Sequence, residues 1–275
     1  MTWWQALILG IVEGVTEYLP VSSTGHLILA SWLMGLDRTD ELKQAVDTFS
    51  IVVQAGAIAA VLGLYRSRVV QMLRGLMGRD DEGRRLAINL AVAFLPAALL
   101  GPLLADAIES HLFHPWPVVG ALFLGAWLMI AVGWQRKDDA DAGLELEGLT
   151  LKIALMIGIG QCLAMWPGTS RSMMTIVTAL ALGLRPRAAA EFSFLLGLIT
   201  LTAATGYKAV FGASQMLEQM ALSSVIIGLV AATLSAAIAV HWFVAMLVRH
   251  GLAPFGWYRL ALAAVLGLCL WFGLM

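Results

Sequence analysis

The stretch EGVTEYLPVSSTGH, residues 13–26, crowds two carboxylates, three hydroxyls and an imidazole into one short segment. Glu13 and Glu17 are four positions apart, which puts them on one helix face about a turn apart. Such a pair repels itself unless a divalent cation or a shared proton intervenes. The alternative is that one or both are protonated and bond a neighbouring backbone group. Ser22, Ser23 and Thr24 follow, just before an apolar run. One hydroxyl suffices to cap a helix, and here there are three. A helix start also offers free N–H groups and the positive end of a dipole to a phosphate. His26 comes within the next turn, either as a packing residue or as part of the same site.

A second segment, WPGTSRS at 166–172, repeats the arrangement with an arginine. Gly168 permits close backbone approach, and Thr169, Ser170 and Ser172 add hydroxyls. The Arg171 fork of donors suits phosphate oxygens; it also suits a counter-ion role to Glu13 or Glu17, and the two are compatible. If the segments meet, one pocket holds acids for a metal and donors for oxyanions. That combination points to phosphoryl transfer.

These groups need elements to hold them. The chain has 275 residues, 60% hydrophobic and 13% charged, against roughly 45–50% and about 25% for a soluble domain. The apolar surplus lies in blocks long enough to cross a bilayer, so an all-α polytopic membrane protein is expected. The net charge of −1 carries no nucleic-acid signature, and Cys162 and Cys269 have no metal-ligand spacing. The first basic residue is Arg38, so no cleaved signal peptide is expected.

Six blocks read as full spans, near 45–65, 87–106, 117–135, 188–207, 222–248 and 255–273. Two further apolar stretches, 3–36 and 153–184, are each cut by a proline, Pro20 or Pro167. Their halves are too short to span, and proline disfavours continuous helix. Each reads as a re-entrant helical hairpin, with its irregular backbone lining a shared cavity.

Placing the entry of the first hairpin outside puts the loops 66–86 and 136–152 and the turns 185–187 and 249–254 in the cytoplasm. Twelve Lys and Arg then lie inside (Arg136 and Lys137 among them) against Arg38, Lys43 and Lys208 outside, as the positive-inside rule requires. Arg259 falls just within the last span, towards its cytoplasmic end.

The chain reads as one membrane domain, 1–275, made of two halves near 1–135 and 153–275. GIVEGVTEYLPVSST (10–24) echoes GIGQCLAMWPGTSR (158–171), pairing Glu13 with Gln161, Pro20 with Pro167 and Ser23 with Ser170. One hairpin plus three spans per half requires the second copy to be inverted, an architecture with paired broken helices at mid-membrane. Asp47 and Glu191 read as hairpin anchors, Gln54 and Asn89 as interhelical hydrogen bonds, His241 as a packing residue, and the 66–85 stretch as a solvated basic face.

EGVTEYLPVSSTGH and PGTSRS together resemble the paired signatures of the undecaprenyl-diphosphate phosphatase family, also called the bacitracin-resistance protein family. The resemblance runs over nearly the whole chain, including Phe49-Ser50 and Phe192-Ser193. It implies a multi-pass enzyme of the bacterial cytoplasmic (inner) membrane with its active site on the periplasmic side. Its reaction would convert undecaprenyl diphosphate to undecaprenyl phosphate and inorganic phosphate, recycling the carrier lipid for peptidoglycan and conferring bacitracin resistance. It further implies a divalent cofactor, Mg²⁺ or Ca²⁺, held with help from Glu13 and Glu17. Catalytic roles fall on Glu17, Ser23, His26 and Arg171, and phosphate binding on Ser22, Thr24, Gly168, Thr169, Ser170 and Ser172. Ser23, His26 and water each remain candidate nucleophiles. Where this chain reads Met173-Met174, some relatives carry smaller residues. Membrane lipid is the surrounding partner, and a homodimer is compatible with the reading. The rival class is a polyprenyl-phosphate transporter or flippase, since inverted repeats and broken helices also suit alternating access.

Overall fold

A computed structural model describes residues 1–135, 143–219 and 221–274. Arg136 and Lys137 lie outside them. Among the described residues there are eleven α-helices. In chain order they are α1 (Trp3–Thr16), α2 (Ser23–Leu33), α3 (Asp40–Leu64), α4 (Arg66–Leu76), α5 (Asp81–Leu112), α6 (Pro115–Gln135), α7 (Leu151–Cys162), α8 (Arg171–Ala181), α9 (Pro186–Gln219), α10 (Leu222–His250) and α11 (Ala253–Trp271).

Six of these, α3, α5, α6, α9, α10 and α11, are long and apolar enough to cross a membrane. They coincide with the six apolar blocks of the sequence. By contrast α1, α2, α7 and α8 hold 14, 11, 12 and 11 residues. At about 1.5 Å per residue, each falls well short of the roughly 30 Å hydrocarbon core. Burial is reversed relative to a water-soluble protein. Leu103, Ile238 and Trp271 are more than 70% exposed, whereas Arg259 is wholly buried. An apolar exterior of this kind has lipid as its solvent.

Helix α5 runs through Pro96 and Pro102 without ending. The 66–86 stretch departs from its reading as a solvated loop. Its first part is helix α4, because RSRVVQMLRGL carries a helical period that turns Met72 towards the core. Gly75 seats α4 against the backbone of Gly83 and Arg84. Asp80 then caps α5, accepting from the Gly83 N–H at 2.7 Å, a contact worth about 1 kcal/mol. Arg66 and Arg74 stay exposed, so the basic face survives. Arg68 ties α4 to α9 through Glu191 at 2.7 Å and reaches Glu147 at 3.1 Å. Burial works against the charge of Arg68, but the two carboxylates outweigh it and raise its pKa above the ordinary guanidinium value.

The helix pairings survive exchange of the two halves. Helix α1 packs on α10 and α7 on α5, while α3 meets α9 and α6 meets α11. Gly10 in α1 lies against Gly228 of α10, and Gly158 in α7 lies against Ala93 of α5. A side chain at either glycine would strike backbone, so these small residues set the close approach. Asn89 donates to the Leu149 carbonyl at 3.0 Å, and Thr205 to Gln54 at 2.9 Å, satisfying polar groups between elements.

Candidate active site

The chain breaks between α1 and α2 and again between α7 and α8. Each break ends at a serine with left-handed backbone, Ser22 at φ 73° and Ser170 at φ 74°. Among the described residues, these are the two non-glycine positions with positive φ. Each serine then caps the helix that follows it. The Ser22 hydroxyl accepts from the Gly25 N–H at 3.4 Å, and that of Ser170 from the Met173 N–H at 3.3 Å. Strained backbone of this kind persists where the surroundings enforce it, often at functional sites.

This geometry corrects the register of the internal echo by one residue. Ser170 corresponds to Ser22, not to Ser23. Ser23 and Arg171 therefore occupy equivalent places, as first residues of α2 and α8. Both reach Glu17. The Ser23 hydroxyl donates to Glu17 Oε2 at 2.8 Å, and Arg171 Nη2 donates to Glu17 Oε1 at 3.3 Å. The expected counter-ion for the acidic pair is thus in place.

Arg171 is seated on three sides. Its Nη1 donates to the Ser193 carbonyl at 3.1 Å. Its guanidinium lies 5.1 Å from the Tyr18 ring centroid, within cation–π range. The absence of a side chain at Gly197 lets it lie flat on α9. Its Nε has no partner among the described residues. Glu13 is 2% exposed and adjoins Glu17, and its Oε2 is likewise unpartnered.

The two breaks touch directly. Ser172 is wholly buried and donates to the Leu19 carbonyl at 2.8 Å, and its hydroxyl shares a hydrogen bond with Ser170 at 3.0 Å. Thr169 spends its hydroxyl on its own turn, at the Trp166 and Leu163 carbonyls. Gly168 turns at φ 97°. Thr24 is half-buried in the first turn of α2, and Met173 and Met174 are buried in the core.

His26 points elsewhere. Its Nδ1 lies 2.7 Å from the Ser22 carbonyl and its Nε2 lies 2.7 Å from the Tyr258 hydroxyl. A carbonyl only accepts, so Nδ1 carries the proton in the neutral ring and Nε2 accepts from Tyr258. The two rings also stack, 5.6 Å apart.

Among the described residues, no group of three or more His, Cys, Asp and Glu side chains gathers to hold a metal. What the site offers is two adjoining carboxyls, one with a free oxygen, beside hydroxyls. An all-oxygen set of this kind fits a hard cation that keeps water or takes phosphate as further ligands.

Arg259 emerges from the structure as a neighbour of the site. It lies in α11 yet bonds the backbone of both breaks. A charged residue inside an apolar span is by default a functional signal, and its position near a span end masked that signal in the sequence.

The family model for Bacitracin resistance protein BacA matches residues 6–265. The chain is 45% identical over 267 residues to an undecaprenyl-diphosphatase of Sorangium cellulosum, covering 96% of this chain and 85% of that protein. It is 42% identical to undecaprenyl-diphosphatase 2 of Rhodospirillum rubrum, over 98% of this chain and 96% of the relative. A Nitrosomonas europaea undecaprenyl-diphosphatase is also 42% identical, with the same coverage of each chain. With its two Glu17-centred breaks and these likenesses over nearly its full length, this chain belongs to the bacitracin resistance protein BacA family.

Proposed function

We propose that this chain hydrolyses the terminal phosphate of undecaprenyl diphosphate at the two breaks, with Glu17, Ser23 and Arg171 as its catalytic residues. One observation carries the reading: a single carboxylate holds the proton of a serine and the charge of an arginine at the starts of two facing helices. The activity returns undecaprenyl phosphate to wall synthesis and confers bacitracin resistance.

The hydrogen bonds of Glu17 support the following steps. As Ser23 Oγ forms its bond to the terminal phosphorus, its proton passes to Glu17 Oε2. The bond from phosphorus to the bridging oxygen breaks, and undecaprenyl phosphate leaves with the electron pair and takes up the proton from Glu17. Water then attacks the phosphoserine, giving its proton to Glu17. The Ser23 oxygen leaves and recovers that proton, releasing inorganic phosphate. Arg171 and the N–H groups opening α2 and α8 stabilise the equatorial oxygens. His26, bonded to Tyr258 rather than to Ser23 or Glu17, orients the first turn of α2.

Glu13 and Glu17 would hold a Mg²⁺ or Ca²⁺, which supplies charge neutralisation for the diphosphate. The unpartnered oxygen of Glu13 supports this role. Ser22, Thr24, Gly168, Thr169, Ser170 and Ser172 shape the phosphate-binding backbone.

The exchangeable helix pairings and the matching serines support an inverted repeat with two re-entrant hairpins. The distribution of Lys and Arg supports residence in the cytoplasmic membrane with the site open to the periplasmic side. A homodimer is compatible with the lipid-facing exterior.

The test is phosphate release from a polyprenyl diphosphate by purified protein in detergent, with Mg²⁺ or Ca²⁺ and then EDTA, beside Glu17→Ala. Metal-dependent release that disappears in the variant is the expected result. Folded protein that releases no phosphate but moves the lipid in sealed vesicles would replace this reading with transport.

A further inference from the structure

Arg259 is wholly buried in the second turn of α11. Its bonded partners are all backbone carbonyls. Nη1 donates to Pro20 at 3.3 Å and Nη2 to Gly168 at 2.9 Å. Nη2 also donates to Ala121 at 3.1 Å, and Nε to Leu122 at 3.4 Å, both in α6. Among the described residues, no carboxylate forms an ion pair with it.

A buried cation without a counter-ion is expensive, so its cage should need what only a guanidinium offers. The carbonyls of Pro20 and Gly168 belong to the two breaks, where the helical hydrogen-bond ladder has stopped. Left unpaired at that depth, each would carry a desolvation cost. A planar fork with donors on three nitrogens bonds both of them and α6 at once. A lysine, with one nitrogen, cannot span the same carbonyls.

We propose that Arg259 is a positioning residue for the reaction, joining the first break to the second so that Ser23 and Arg171 converge on Glu17. It acts through the backbone of Pro20 and Gly168 and touches neither the carboxylate nor the substrate. The inference rests on the assignment of chemistry to Glu17, Ser23 and Arg171. Other ties cross the same gap, from Ser172 and Ser170 to the Leu19 carbonyl and from Arg171 to Glu17. Arg171 is also anchored on α9, through the Ser193 carbonyl; Arg259 adds an anchor on α6 and α11, bonds the backbone of both breaks at once, and thereby fixes where the joined pair sits.

The experiment compares the parent with Arg259→Lys and Gly125→Ala, purified in detergent and checked by gel filtration and thermal unfolding. Gly125→Ala keeps the guanidinium but crowds it, since a Cβ there would stand 2.6 Å from Arg259 Nη2, and 2.8 Å from the sulfur of the flexible Met173 side chain. A misplacement of about 1 Å costs on the order of 100-fold in rate. Folded Arg259→Lys is therefore expected to lose about that much kcat, with a smaller change in KM. Gly125→Ala should lower kcat in the parent and lower it less in the Arg259→Lys background.

The discriminating readout is a double-mutant cycle with Arg171→Ala. If Arg259 works by aligning Arg171, the two losses are strongly non-additive; a general loss of stability would leave them additive. Folded Arg259→Lys with kcat within about twofold of the parent, or full additivity in the cycle, overturns the proposal. Should Arg259→Lys not fold, a parent-like kcat in Gly125→Ala overturns it alone. Full activity in Arg171→Ala would instead overturn the site assignment, and this inference with it.

Discussion

The carboxylate of Glu17 accepts from Arg171 at 3.3 Å across a separation of 154 residues, while its other oxygen holds the Ser23 hydroxyl at 2.8 Å. One carboxyl thus joins the two breaks and holds the hydroxyl of the proposed nucleophile. Replacing Arg171 by alanine removes the proposed transition-state donor and leaves Glu17 without its counter-ion. Phosphate release should fall by about 100-fold or more. Arg171→Lys should recover little of it, because Arg171 serves the Ser193 carbonyl and Glu17 from two separate nitrogens of a planar fork, a geometry a single ammonium nitrogen does not reproduce.

The geometry separates Ser23 from His26. Ser23 is bonded to the Glu17 carboxylate, the proposed base, whereas His26 has its Nδ1 on a carbonyl and its Nε2 on Tyr258. Ser23→Ala should therefore cost more than about 100-fold in kcat, and His26→Gln less than about tenfold. Steady-state phosphate release on the two purified variants decides the matter. The opposite ranking would make the imidazole the reacting group.

The left-handed serines predict an unusual order of substitutions. Ser22→Ala loses the cap, worth about 1 kcal/mol, and keeps the backbone strain, also about 1–2 kcal/mol. Ser22→Gly loses the same hydroxyl but relieves the strain. In thermal unfolding, the glycine variant should melt above the alanine variant, and Ser170 should show the same order. An alanine variant as stable as the glycine one would mean that φ near 73° carries no strain here.

The unpartnered oxygen of Glu13 is suited to the proposed cation. Glu13→Gln should raise the Mg²⁺ concentration for half-maximal activity by about tenfold or more, with activity recovering at high metal. A variant with unchanged metal dependence and lowered kcat would assign Glu13 to proton sharing with Glu17 instead.

Sidedness can be read with single cysteines. Ser67→Cys in α4 should react with an impermeant thiol reagent only once the cytoplasmic face is opened. Glu41→Cys in the first turn of α3 should react from outside. Labelling in the reverse order would invert the proposed topology.

Much of this molecule was legible in one dimension. Span length and hydropathy are properties of a local run of residues, so the six crossing helices sit where the apolar blocks lie. Proline acts on its immediate neighbours, so Pro20 and Pro167 marked the breaks. Glu13, Glu17, Ser23 and Arg171 stood out because polar groups in an apolar stretch need a reason. The α4 helix was obscured because its arginines masked a short helical period.

Other features depended on contacts between distant residues. Backbone φ placed Ser170 opposite Ser22 and so moved the echo by one position, which no matching of letters between two short serine-rich segments could resolve. Tyr258 lies 232 residues from His26, and its hydroxyl decided which way the imidazole faces. Arg259 is a single charge near the end of an apolar run, and only the meeting of both breaks with α6 and α11 gave it partners. Hydropathy and proline act over a few residues, so the sequence determined which segments cross and where they break; the pairing of donors with acceptors depends on three-dimensional approach, so the tertiary structure decided what each polar group does.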